Sequence, residues 1–420
     1  MTLALRVIKF TTGERFAHLI ESETLLPHFE STTYNLAMLR GRRLATNSIA
    51  QALRAIKIFL LFCDMRVISL STRMQNGFLF QPGELDELLR LCRKPMVDIE
   101  SMVLASKLGT GVSSPKRLKF FPSSKSEAEV GTEWIEKRII YIRDYIDWLA
   151  NTQCGRFTPQ HMHYRSLTEQ RDSAYKKLTV SKPVSKGRNV VNQRVGLDEG
   201  QQAVLWKVID PLYPGNVWVG NHCRVRNELM IRMFIKLGIR RGELAGIGIR
   251  DIDFRARTVL IRRRADDKAD PRTDQPNAKT RDRILPLSDD LLQRIHRYVI
   301  GERKLQAKAN THPFLFVANA GKPLGLRAVN RVFEVLVERS DEFEELFPHL
   351  LRHTFNDNLS TNMDANKTPE AEEQKVRSEL NGWVPTSGSA SRYTKRTTQR
   401  RANKASLELQ ESQPVKPINE

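Results

Sequence analysis

The sequence is poor in cysteine, has no long apolar run and is short of acid. Four cysteines, Cys63, Cys92, Cys154 and Cys223, are scattered over 420 residues without a CxxC pair. That excludes a disulfide framework and the paired-ligand zinc patterns, and it suits thiols kept reduced inside a cell. Cys154 with His161 and His163 supplies three candidate ligands, but a fourth at sensible spacing is missing, so no metal and no other cofactor is expected. No segment stays apolar over the length of a bilayer span. Arg6 and Lys9 interrupt the opening MTLALRVIKF, where a signal peptide would be continuously apolar. The expectation is a soluble cytoplasmic protein with no membrane partner. There is no GxxxxGK[ST] phosphate loop, so a nucleotide-driven reaction is not indicated.

What is present is positive charge. Lys and Arg number 68 against 48 Asp and Glu, a net +20. An excess of that size favours polyanions through counterion release, although a ribosomal or membrane-surface protein could carry it too. The length implies two or three domains, and an apolar fraction of 40% is enough to build their cores.

Along the chain, residues 1–45 form an N-terminal extension that opens as a short strand pair, with Leu3, Leu5, Val7 and Ile8 before a TTGE turn and Phe16 to Ile20 after it. TNSIAQALRAIKIFLLFCDM then reads as a helix. Ile49, Leu53, Ile56 and Leu60 lie on one face, and Arg54 and Lys57 lie off it, open to phosphate. QPGELDELLRLCRKP is a second helix, bracketed by Pro82 and Pro95. Residues 109–131 are rich in Gly, Ser, Pro and Lys and read as an inserted loop. GTEWIEKRIIYIRDYIDWLAN returns to helix, placing Trp134, Ile135, Ile139, Ile142, Tyr145, Ile146 and Leu149 on an apolar stripe, with Arg138 off it.

Residues 151–195 show no sustained period. The basic stretch SKPVSKGRNVVNQR, with Lys182, Lys186 and Arg188, reads as a linker between a helical domain over 46–150 and a second domain over 196–400. Asp198 is the expected N-cap of the first helix beyond it. The second domain reads as helices around a small antiparallel sheet. Its strands, RTVLIRRR and DRILPL, flank a polar stretch from Ala265 to Asn277. A C-terminal tail, 401–420, follows, and the run from Arg392 to Lys404 that leads into it holds six basic residues and no acid.

Six residues of the second domain carry phosphodiester chemistry. Arg240, in LGIRRGEL, and Arg352, in HLLRHTF, offer guanidinium groups that stay charged and present parallel N–H donors to phosphate. Arg241 rivals Arg240, and Glu243 can hold these side chains in place. His349 lies three residues before Arg352, on the same helix face, and can exchange a proton near neutral pH, while His353 is expected to point elsewhere. Lys279, in AKTRDRILPL, can protonate a leaving oxygen, with Lys268, Arg281 and Arg283 as rivals. Trp383, in LNGW, carries an indole N–H that can donate to a phosphate oxygen. Tyr393, in SRYTK, offers a phenolic nucleophile.

This ordered set resembles the catalytic set of the tyrosine recombinases, the phage-integrase family. The resemblance is densest over Gly196 to Lys395 and weaker over Thr46 to Asn151. Trp383 stands where the family commonly has histidine, and residues 364–375 look inserted. The resemblance implies a mainly α fold with a small antiparallel β-sheet, two domains clamping duplex DNA and a homotetramer on synapsed sites. It implies strand exchange through a 3′-phosphotyrosyl bond and a Holliday junction, without metal or nucleotide, with possible accessory DNA-bending or directionality proteins and a nucleoid-associated location. The inserts favour integration or excision of a mobile element. Type IB topoisomerases and telomere resolvases share this chemistry, and a DNA-binding accessory protein without catalysis is the reading from another class.

Overall fold

The computed structural model describes residues 2–42, 44–108, 129–183, 196–276, 280–384, 388 and 405–410. The chain divides into two compact units. One holds residues 1–10 and 15–190, and the other holds 191–420 together with 11–14. Both are mainly helical with small antiparallel sheets, and no helix among the described residues is long and apolar enough to cross a membrane.

In the first unit, β1 (Leu3–Lys9) pairs with β2 (Arg15–Glu21), from Leu3 opposite Glu21 to Lys9 opposite Arg15. Among the described residues seven α-helices follow: α1 (Phe29–Tyr34), α2 (Thr46–Met65), α3 (Leu70–Gln75), α4 (Glu84–Leu91), α5 (Met96–Leu108), α6 (Thr132–Cys154) and α7 (Met162–Val180). The one-sided stripe expected of α2 is in fact a wrapped helix. Besides Ile49, Leu53, Ile56 and Leu60 it buries Ala52, Ala55, Ile58 and Phe59, because β2, α4, α5 and α6 surround it. The aromatic rings of Tyr34, Phe59 and Tyr145 meet edge-on there, with centroids 5.1 to 6.1 Å apart.

Helices α6 and α7 also depart from the sequence expectation. Trp134 is not on the buried stripe of α6. It is 50% exposed, with the Lys137 ammonium 5.7 Å from its ring. Residues 162–180, which show no sustained period, form the 19-residue helix α7. Its buried side chains are Leu167, Ala174 and Leu178, a stripe too thin for hydrophobic spacing to reveal.

In the second unit, Asp198 caps α8 (Glu199–Val208), accepting from the Gln201 amide at 2.7 Å while the Gln201 side chain accepts from the Asp198 amide. This reciprocal box satisfies donors that a helix start otherwise leaves unpaired. The helix α9 (Asn221–Leu237) is buried along most of its length and packs against later helices of the same core. Then come α10 (Arg241–Gly246), the sheet β3 (Ile252–Asp253), β4 (Thr258–Ile261) and β5 (Arg283–Pro286), and the helices α11 (Asp289–Tyr298), α12 (Leu326–Arg339), α13 (Pro348–Ala365) and α14 (Glu370–Asn381). The sheet is antiparallel in the order β3-β4-β5, with Val259 opposite Leu285.

The strand expected over RTVLIRRR stops at Ile261. Arg262 and Arg264 turn away to ion-pair with the buried Asp251, at 3.0 and 2.7 Å. The polar stretch that follows is fastened by Arg272. Its guanidinium binds Asp270 through two nitrogens at 2.8 Å, donates to the carbonyls of Ala245 and Leu324, and lies 4.3 Å from the centre of the Phe314 ring.

Candidate active site

The site is organised by how two helices end. Helix α9 stops at Gly238, which adopts φ +60. A Cβ there would overlap the Phe355 ring, so both the dihedral and the packing call for glycine. Helix α14 stops at Gly382, with φ +65, in a Schellman motif. The Trp383 amide donates back to the Ser378 carbonyl at 2.9 Å, and the Gly382 amide to the Glu379 carbonyl at 3.1 Å.

That closure leaves the last carbonyls of α14 to side chains, and arginines take them. Arg283 Nε donates to the Leu380 oxygen at 2.8 Å. The Asn381 oxygen accepts from Arg352 Nη2 at 3.2 Å and from Arg240 Nη1 at 3.5 Å. Cations at a helix C-terminus are also favoured by the partial negative charge there. Arg240 and Arg352, 112 positions apart in sequence, therefore meet on a single oxygen.

The two arginines differ in setting. Arg352 is 1% exposed, projecting from α13. Its Nη1 donates to the Gly238 carbonyl, and its guanidinium carbon lies 5.3 Å from the centre of the Trp383 indole. Arg240 precedes α10 in extended backbone and its side chain is 31% exposed. Glu243 steadies it, accepting from the Arg240 amide at 2.9 Å and from Nη1 at 3.3 Å. Arg241, the rival, turns to Asn330 at 2.7 Å.

Glu243 is itself buried. Burial alone would raise its carboxyl pKa. The hydrogen bond and charge of Arg283 at 2.8 Å, with the Thr280 hydroxyl at 2.5 Å and the Arg240 amide, outweigh that and hold it down to about 2. It is therefore a fixed anion around which the arginines are arranged.

His349 lies exposed in the first turn of α13, one turn before Arg352. His353 does not point elsewhere. Its ring meets that of His349 edge-on, with centroids 4.6 Å apart, since residues four apart share a helix face. Lys279 and Tyr393 lie outside the described residues. Of the rivals to Lys279, Arg283 is buried in its pair with Glu243, Lys268 is exposed, and Arg281 is exposed with Nη2 3.3 Å from the Trp383 carbonyl oxygen. Sequence reasoning missed Asn381, Thr280 and the placing of Gly238 and Gly382. The readable signal was Asn-Gly after a helical pattern, a mark of a left-handed helix end.

The residues expected to face DNA in the first unit are mixed. Arg54 is exposed on α2. Lys57 ion-pairs with Glu100 of α5 at 2.6 Å. Arg138 is corrected: its guanidinium is held inside, donating to the carbonyls of Cys92 and Lys94 at 2.9 and 2.7 Å beyond the end of α4. Lys182 is half-buried just past α7, and Lys186 and Arg188 lie outside the described residues.

Residues 218–400 match the phage integrase family model. Among curated proteins, the tyrosine recombinase XerC of Staphylococcus epidermidis is 29% identical over 131 residues, 31% of this chain and 39% of that protein. XerC of Lacticaseibacillus casei is 25% identical over 132 residues, 31% of this chain and 40% of that protein. The chain thus spans about 40% of the length of the curated relatives it matches. Among solved structures, XerH site-specific recombinase bound to palindromic difH substrate in a post-cleavage complex aligns with TM-score 0.40 and 13% identity, covering 85% of this chain and 96% of that one. XerA recombinase aligns with TM-score 0.36 and 16% identity, covering 66% and 84%.

Proposed function

We propose, for a chain whose residues 218–400 match the phage integrase family model, that it breaks and rejoins duplex DNA at specific sites through a covalent tyrosyl bond. The observation that carries this reading is the convergence of Arg240 and Arg352 on one oxygen, with His349 a single helical turn from Arg352. Two guanidinium groups so held match the need to stabilise charge on the non-bridging oxygens of a phosphodiester in its transition state.

In the proposed step, the Tyr393 oxygen attacks the scissile phosphorus and loses its proton to His349. The bond from phosphorus to the 5′ oxygen breaks, and Lys279 protonates that oxygen. The product is a 3′-phosphotyrosyl linkage and a free 5′ hydroxyl. Because the ester keeps the energy of the broken bond, a 5′ hydroxyl from a partner strand can reverse the step without a nucleotide. Trp383, beside Arg352, would donate its indole N–H to the phosphate. Strand exchange would proceed in a homotetramer through a Holliday junction, in the service of moving a mobile element.

The test is trapping on a nicked suicide duplex, from which the cleaved fragment diffuses away. Wild-type protein should accumulate a covalent protein–DNA adduct. Tyr393→Phe should bind the same DNA and form none. An adduct that survives Tyr393→Phe overturns the assignment of the nucleophile, and a wild-type protein that never traps overturns the reaction.

A further inference from the structure

Beneath the arginine pair, five side chains of α13 and α14 form one buried polar network: Asn356, Ser360, Glu373, Arg377 and Asn381. Arg377 Nη1 donates to the Asn356 carbonyl at 2.9 Å and to its side-chain oxygen at 3.0 Å. Arg377 Nη2 donates to Ser360 Oγ at 2.7 Å and to Glu373 Oε1 at 2.5 Å. Asn356 and Asn381 exchange amide bonds at 3.0 and 3.3 Å. Asn356 Nδ2 also reaches the carbonyl of Arg352 itself, at 2.8 Å, and Asn381 Nδ2 that of Arg377, at 2.9 Å.

Burying an arginine–glutamate pair is not an economical way to stabilise a helix contact, since apolar side chains of similar volume often do as well or better. What such a network supplies is a defined geometry, because every member has directional partners. Here the geometry is delivered to one place. Asn381 is gripped through its side chain by α13, and its main-chain oxygen is the point on which Arg240 and Arg352 meet.

We propose that this network is a positioning device for phosphate capture: Asn356, Arg377 and Asn381 fix the Asn381 carbonyl, which sets the spacing of the Arg240 and Arg352 guanidinium groups. Glu373 and Ser360 orient Arg377. None of the five touches the reacting atoms; they act through the arginines. The inference rests on the phosphodiester reading of the site.

The test uses the full chain, with Asn381→Ala and the shape-preserving Glu373→Gln as alternatives should either fail to fold. Two readouts separate the claims. The first is cleavage on the suicide duplex alongside equilibrium affinity for the same DNA. A misplacement of about 1 Å costs on the order of a hundredfold in rate, so cleavage should fall by about that factor in Asn381→Ala while affinity is nearly unchanged. The second needs no reaction: the guanidinium ¹⁵N–¹H signals of Arg352 should be sharp, with slow rotation, in the wild type and should broaden in the variant. Unchanged Arg352 signals overturn the inference, as does an equal loss of affinity and rate, which is what general destabilisation produces. Failure of the wild type to cleave overturns the phosphodiester reading instead, leaving the Arg352 signals to decide whether the network holds the arginines.

Discussion

At the scale of single residues, the carboxylate of Glu243 does the most with the least exposure. Its pKa in the folded protein, about 2, lies below the ordinary 4.5. Such a group contributes stability that is fully present above pH 4.5 and is lost as the pH falls toward 2. Urea unfolding across that window should show a decline on the order of 3 kcal/mol from this one side chain, and Glu243→Gln should remove most of the slope. A wild-type slope retained by Glu243→Gln would place the titration elsewhere. Gly382 offers a second check. A Cβ at φ +65 would sit 2.9 Å from Arg283 Nη1 and 3.0 Å from Thr280 Cβ, so Gly382→Ala should cost about 1–2 kcal/mol from the dihedral alone and lower the melting temperature.

The residues that meet at the site, Arg240, Glu243 and Arg352, were each named from the sequence, by their order along the chain rather than by any one of them alone. What holds them was not legible. A carbonyl oxygen has no letter in the sequence, so the meeting point of Arg240 and Arg352 could not be read from Asn381. Arg138 shows the converse: its place off an apolar stripe suggested an outward face, but a neighbouring helix end lay within reach.

At the scale of elements, the long connection between β4 and β5 is the informative case. Its sequence reads only as a polar stretch, and in its described part Arg272 pins it through Asp270 and two carbonyls. Asp270 is buried, so Arg272→Met should cost roughly 3–5 kcal/mol by removing the charge opposite it. The double change Arg272→Met with Asp270→Asn should cost clearly less than the sum of the two singles. A double-mutant cycle by urea denaturation measures that coupling, and strict additivity would show that the pair does not act as a unit. Helix α2, with a dense run of apolar side chains, was readable as a helix from spacing. Helix α7 was not, because three buried side chains in 19 residues leave its sequence looking like a solvated linker.

At the scale of the molecule, the net charge of +20 makes the proposed binding of DNA testable through salt. If binding neutralises about 6–10 phosphates, affinity should fall by roughly 10³–10⁵ between 50 and 200 mM salt, with a linear log–log slope. Titration of the proposed site duplex at several salt concentrations measures it. A slope near zero would show that the positive charge is not directed at DNA.

The way α14 ends has one more consequence. The oxygens of Gly238 and Asn381 that receive Arg352 belong to peptide groups. A peptide oxygen fixes a guanidinium in space without cancelling its formal charge, as a carboxylate would.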